Sequence, residues 1–240
     1  MALYRIADIN VEYEPRFDML RERSKKYLIG PSDKVNFKIS IKNDDPSKPG
    51  DNNSGLSDAE CEYIAVGSSF YKGLISFNGL LLHASAVAYE NEAYLFSAPC
   101  GTGKSTHTSI WQKHFGKDKA VIINDDKPAI RLVNGIPYVY GTPFSGQFDI
   151  SENISVKLKA ITFLHRSDIN TIKPMDGSKA IYSFLNQTIK PSEPELKLKA
   201  YKTLDTILNS VPVFEMGCNM DEEAAEVAYK AMKEGICNED

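Results

Sequence analysis

Ala98-Pro99-Cys100-Gly101-Thr102-Gly103-Lys104-Ser105-Thr106 decides the reading of this chain. It follows the phosphate-loop pattern G-x-x-x-x-G-K-[ST], except that Ala98 stands where the first glycine would be. Gly101 and Gly103 permit a tight path with positive φ, along which successive backbone N–H groups can wrap an anion. Lys104 can reach the β- and γ-phosphates, and the Ser105 hydroxyl can ligate Mg²⁺. A helix starting here points its positive end at the same anion. Pro99 to Thr106 is therefore expected to cradle a nucleoside triphosphate. The competing reading is a glycine-rich structural turn with a lone exposed lysine.

Context favours the first reading. A phosphate loop should leave a strand and open a helix. Residues 93–97 form a short apolar run after a turn at Asn91-Glu92. Residues 105–115 hold neither Gly nor Pro and read as helix until Gly116.

Working outward, residues 3–13 read as one strand, Pro15 to Tyr27 as partly helical, and residues 35–41 as a second strand. Residues 43–58, rich in Asp, Asn, Pro, Ser and Gly, mark an exposed loop or boundary. Ser57 with Glu60 three residues on forms a capping box for a helix to about Asn78-Gly79, with Tyr63, Val66, Phe70, Leu74 and Phe77 as its core stripe. A strand is expected over 80–89 and another over 120–124. A hairpin is expected over 129–133 and 136–140 around Asn134-Gly135. A strand over 155–165, helices over 178–189, 194–209 and 221–235, and a short strand near 213–216 complete the chain. The expected organisation is a small β-rich N-terminal lobe over residues 1–55 and a nucleotide-binding domain over 56–240.

A phosphoryl-transfer site also needs carboxylates, to hold Mg²⁺ and to align or deprotonate the acceptor. Asn124-Asp125-Asp126 supplies two at the end of an apolar strand. Neighbouring strand residues point to opposite sides, so one acid can face the metal and the other the acceptor. Asp125 is read as the base and Asp126 as the metal-side group, with the reverse left open. A solvated turn before Pro128 is the alternative. His83, Arg131 and Arg166 each end or follow apolar stretches. The two arginines are candidate anion or substrate contacts. Thr142 lies in Gly141-Thr142-Pro143-Phe144-Ser145-Gly146-Gln147, a loop that could close over the acceptor. His107, His114 and His165 show no metal-ligand spacing.

Composition bounds the partners. In 240 residues the net charge is −4, with 42% hydrophobic and 25% charged residues. Nothing there provides a basic footprint for nucleic acid or an anionic membrane surface. No apolar run approaches the roughly 20 residues that span a bilayer. The N-terminus lacks a signal-peptide layout, and the four widely spaced cysteines read as free thiols. A cytoplasmic protein is expected, and assembly with further copies is left open.

Together, His83-Ala84-Ser85-Ala86, the 96–106 loop, Asn124-Asp125-Asp126 and Gly141 to Gly146 resemble the HPr serine kinase/phosphorylase-like proteins of the phosphoenolpyruvate carboxykinase-like superfamily. The resemblance covers about residues 78 to 170 and is closer to stand-alone HPr-kinase-related proteins. It implies an α/β fold: a carboxykinase-like P-loop core with a mixed, largely antiparallel sheet and a helical C-terminus. It implies that Lys104 and Ser105 bind triphosphate and Mg²⁺, that the acids supply base and metal contact, and that His83, near the phosphates, joins Asp125 and Lys104 as a catalytic residue. The expected function is an ATP- and Mg²⁺-dependent kinase, with GTP as the alternative nucleotide. Its acceptor would be a hydroxyl on a protein, peptide or small molecule. A nucleotide-gated binding protein without transfer and a small carboxykinase are the competing readings.

Overall fold

The computed structural model describes residues 1–30, 34–40 and 55–234. The expected strand over 3–13 is a hairpin, β1 (Ala2–Ile6) and β2 (Ile9–Tyr13). Ala7 and Asp8 reverse the chain with φ of 52° and 57°, a left-handed turn that the apolar pattern concealed. The chain continues through α1 (Asp18–Ser24), a 3-10 turn over Lys25–Tyr27, β3 (Leu28–Ile29) and β4 (Phe37–Lys38). Of the strand expected over 35–41, residue 41 lies outside the described residues and the rest forms only β4, which runs parallel to β2. Most of the loop expected over 43–58 lies outside the described residues.

α2 (Asp58–Leu74) carries the capping box: Glu60 N–H donates to Ser57 Oγ at 3.3 Å, and Ser57 N–H to Glu60 Oε2 at 2.7 Å. A 3-10 turn and left-handed Asn78 close it. There follow β5 (Gly79–Leu81), β6 (Ala84–Tyr89), β7 (Glu92–Ser97), α3 (Lys104–Phe115), β8 (Val121–Asn124), β9 (Ala129–Val133) and β10 (Ile136–Tyr140). The rest is β11 (Ser155–Arg166), β12 (Thr171–Pro174), α4 (Gly177–Asn186), α5 (Pro194–Ser210), β13 (Val213–Cys218) and α6 (Glu223–Glu234).

The single strand expected over 80–89 is split. β5 pairs with β9, while β6 pairs with β7 and β8. At the break, the His83 N–H donates to the Gln187 carbonyl at 2.7 Å instead of to a strand. β12 was not foreseen; four residues ending in proline carry too little periodicity to announce an edge strand.

The fold is mixed α/β. The large sheet runs β5-β9-β10-β11-β7-β6-β8, with β13 alongside β11 and β12 beyond it. β11 runs parallel to both β7 and β13, and the other pairs in this sheet are antiparallel. Along β7, Ala93 and Leu95 enter one core, and Tyr94 and Phe96 the other. That alternation is how one strand serves two faces. Phe184 of α4 and Leu204 and Ile207 of α5 fill the first core. Trp111 of α3 and Ala224, Ala228 and Met232 of α6 fill the second. A third cluster joins the N-terminal sheet to α2 and to Leu81, Ala129, Tyr140 and Phe144.

Gly141 ends β10 where the chain passes under the 150–154 segment. A Cβ there would lie 1.8 Å from the Glu152 carbonyl oxygen and 2.8 Å from that of Ile123. Backbone cannot yield as a side-chain tip can. Gly141→Ala should therefore destabilise by about 3 kcal/mol or more, a fall in Tm of roughly 6 °C or more. Gly177, with open space around its added methyl, is the control. Equal thermal melts for the two alanine variants would contradict this packing.

Candidate functional site

β7 delivers the loop and α3 departs from it. Gly101 and Gly103 take φ of 75° and 120°, the left-handed region that favours glycine. Ala98 is buried and outside that region, so its position makes no conformational demand for glycine. Gly103 occupies the N-cap of α3 without any side-chain cap bond. The first N–H groups of a helix have no partner within it. Lys104 is buried, and its Nζ donates to the Ala98 carbonyl at 3.0 Å. Burial lowers its affinity for a proton, and the Asp126 carboxylate opposes that.

The acid turn lies against the start of this helix. Ser105 Oγ donates to the Asp125 carbonyl at 3.1 Å. The turn is shaped by buried Asn124, whose Oδ1 accepts from the N–H groups of Asp126 and Lys127 at 2.9 and 2.6 Å. Its Nδ2 donates to the Thr142 carbonyl at 3.1 Å. Asparagine closing a turn on the residues just after it is a recurrent local motif.

The two carboxylates occupy different surroundings. Asp126 Oδ1 meets His83 Nε2 at 2.9 Å, and its Oδ2 pairs with Lys127 Nζ. A carboxylate only accepts, so His83 Nε2 carries the hydrogen of that contact. Burial alone would raise Asp126, but His83 and Lys127 outweigh it and hold the carboxyl well below the ordinary carboxylate range. Asp125 is 2% exposed. Its Oδ1 accepts from the Gly146 N–H at 2.5 Å, while its Oδ2 is buried with no partner among the described residues. Burial pushes the Asp125 carboxyl up, against the Gly146 amide, which favours the ion.

Most of the residues singled out in the sequence gather here. The 99–106 loop, both acids and His83 share one place: Ser105 bonds the Asp125 backbone, Asp126 acts on the charge of Lys104, and His83 holds Asp126. Arg166, at the end of β11, donates from Nη2 to the Gly101 carbonyl at 2.6 Å. Thr142 sits behind the acids rather than before them. It is buried, donates from Oγ1 to the Lys127 carbonyl at 2.9 Å, and lies 2.9 Å from Tyr71 Oη. Arg131 is not brought to the site: its guanidinium donates to the carbonyls of Phe77 and Ala7 at 3.1 and 3.2 Å, tying β9 to the N-terminal hairpin.

A matching family profile covers residues 58–223, and its description is SynChlorMet cassette protein ScmC. The chain belongs to the ScmC family. No functionally curated protein matches it in sequence. Among solved structures it is similar to the HPr(Ser) kinase/phosphatase from Coxiella burnetii, with 11% identity and a TM-score of 0.37 over 65% of this chain and 97% of that one. At that likeness nothing about chemistry passes from one chain to the other.

Several residues at the site escaped sequence reasoning. Gln187 Oε1 lies 2.9 Å from His83 Nδ1, contributed by the segment after α4. Arg23 of α1 donates to the carbonyls of Ser145 and Gly146 at 3.0 and 3.2 Å, and its guanidinium lies 5.0 Å from the Tyr63 ring centre. The N-terminal residues thereby brace the loop whose amide holds Asp125. None of these contacts has a local sequence signature, because the hydrogen bonds join positions 104 to 123 residues apart and Arg23 lies far from Tyr63 in sequence. Among the described residues, no group of three or more His, Cys, Asp or Glu side chains could hold a metal ion by itself. Mg²⁺ usually takes one or two protein oxygens and completes its shell with phosphate oxygens and water. Ser105 and Asp126 suit that arrangement.

A buried, half-paired carboxylate should weaken the fold. Its folded-state proton affinity is raised, so the penalty is absent at acid pH and full once Asp125 ionises. Asp125→Asn should raise the Tm by roughly 2–4 °C at neutral pH, about 1 kcal/mol, with the gain vanishing toward acid pH. A loss of stability at neutral pH would mark Asp125 as a structural residue.

Proposed function

We propose that the chain is a kinase. It binds a nucleoside triphosphate, ATP with GTP as the alternative, together with Mg²⁺. It moves the γ-phosphate to a hydroxyl of a protein, peptide or small molecule. The observation that carries this reading is the meeting of an uncapped, lysine-bearing helix start with two carboxylates in opposite electrostatic states. The motif order resembling HPr-kinase-like proteins supports it.

The residues divide the work. The 99–106 amides and Lys104 hold the phosphates and offset the charge that spreads over the transferred group. Ser105 and Asp126 are the groups suited to Mg²⁺, which supplies further charge neutralisation when bound. His83, bridging Asp126 and Gln187, fixes the direction of the Asp126 carboxylate. Asp125 Oδ2 takes the acceptor hydroxyl proton as that oxygen bonds to the γ-phosphorus. The bond from the γ-phosphorus to the β–γ bridging oxygen breaks, and the nucleoside diphosphate leaves with that oxygen. The 141–147 loop, holding Asp125 through Gly146, borders the space where the acceptor must enter.

The test uses γ-labelled ATP, Mg²⁺, the full chain and a desalted host lysate split into macromolecular and small-molecule fractions. Label should appear in one fraction, which identifies the acceptor class. Lys104→Ala should lower transfer by roughly 100-fold or more while keeping its thermal melt. Asp125→Asn should retain nucleotide binding and lose transfer by roughly 100-fold or more. Undiminished labelling with Lys104→Ala would contradict the assignment. Bound nucleotide with label in neither fraction would favour a nucleotide-gated binding protein.

A further inference from the structure

The start of α3 has two flanks. Ser105 faces the acid turn through its bond to the Asp125 carbonyl. Gly103, Thr106, His107 and Ile110 recur at the spacing of one helical face, and all four border a cavity of about 680 Å³. Gly101 and Thr102 continue its wall along the loop. Arg166 to Asp168 and Cys218 to Met220, at the ends of the parallel strands β11 and β13, close the other side. Asp125, Asp126 and His83 do not line it. The volume falls within the range of roughly 300–1,000 Å³ common to small-ligand sites. Its position, at the carboxyl ends of parallel strands, is where such sheets place ligands.

The far wall is ordered before any ligand arrives. Ser167 N–H donates to the Cys218 carbonyl at 3.1 Å, and Asn219 N–H to Asn170 Oδ1 at 3.0 Å. Asn219 Nδ2 donates to the Asp168 carbonyl and to Asp221 Oδ2 at 3.2 and 2.8 Å. A wall held in this way loses little conformational freedom on binding.

The polar side chains here differ in access. His107 is 2% exposed, and its Nε2 receives the Trp111 indole N–H at 3.2 Å. An indole nitrogen only donates, so the ring hydrogen of His107 sits on Nδ1. That Nδ1 has no hydrogen-bond partner among the described residues and is closed off from the cavity. Asp168 is exposed at the rim. Its backbone carbonyl serves Asn219, so its carboxylate is the part that faces outward as an acceptor. Ile110 and Met220 supply apolar surface.

We propose that this cavity takes the nucleoside end of the triphosphate. The base lies against Ile110 and Met220, and the Asp168 carboxylate accepts from a ribose hydroxyl or a base amino group. Arg166, bonded to the Gly101 carbonyl, stands at the lip between the phosphate and nucleoside halves. This inference rests on the proposed triphosphate site, and its test separates the two.

The full chain is titrated calorimetrically, in Mg²⁺, with ATP and with inorganic tripolyphosphate. A second protein carries Asp168→Ala and Met220→Glu, both on the rim and outside the phosphate loop, and its thermal melt is checked. The natural chain should bind ATP at least about tenfold more tightly than tripolyphosphate, roughly 1.4 kcal/mol. In the double variant that preference should fall to about threefold or less, with tripolyphosphate affinity unchanged. Equal binding of the two ligands by the natural chain, or an undiminished preference in the variant, would overturn the nucleoside pocket while leaving the phosphate site standing. Failure of the natural chain to bind either ligand would overturn both.

Discussion

α3 begins without a side-chain cap, and Lys104, the acid turn and Arg166 are gathered around that helix end. Its first N–H groups cannot be satisfied within the helix, and together they present a partial positive charge. Gly103 holds the backbone at φ 120° so that the loop can fold back over them. Lys104 adds a full charge in a half-dry setting, where it is discharged more easily than in water but is supported by Asp126. In the proposed function an anion answers both the helix-start amides and the lysine. Strand β7, buried on both faces and flanked by β6 and β11, keeps the loop in place.

The acid turn reads as a counterpart to this end. Asn124 bends the chain so that two adjacent carboxylates enter different surroundings, one ionised by His83 and Lys127, the other raised by burial. Neutralising charge and accepting a proton are different tasks, and environments that drive two carboxyls apart suit them to different roles. The N-terminal residues contribute from a distance. Arg23 holds the Ser145 and Gly146 carbonyls, and Tyr27 Oη lies 2.7 Å from Ser151 Oγ. The loop that positions Asp125 is therefore clamped from outside the large sheet.

Legibility in the sequence followed the range of the interaction. The loop, its strand and its helix were readable because glycine conformation, capping and helix initiation are local. The Ser57 capping box and the Asn134-Gly135 hairpin were readable for the same reason. The break at Leu82-His83 was not, since it depends on the Gln187 carbonyl about a hundred residues away. The hairpin in residues 2–13 was hidden because its turn uses Ala7 and Asp8 rather than Asn-Gly. Arg131 and Arg166 looked alike at the ends of apolar runs. Only the packing shows one tied to Phe77 and Ala7 and the other to Gly101. Thr142, a loop residue by its sequence setting, is a buried junction of hydrogen bonds with Tyr71, Asn124 and Lys127.

The most direct test of the account is a backbone amide NMR titration of the full chain with Mg²⁺ and tripolyphosphate. The account predicts that the N–H signals of Gly101, Gly103, Lys104, Ser105 and Thr106 shift first and furthest, saturating together. If those signals stay in place while ligand binds elsewhere, the uncapped start of α3 is not a phosphate site and the kinase reading falls with it.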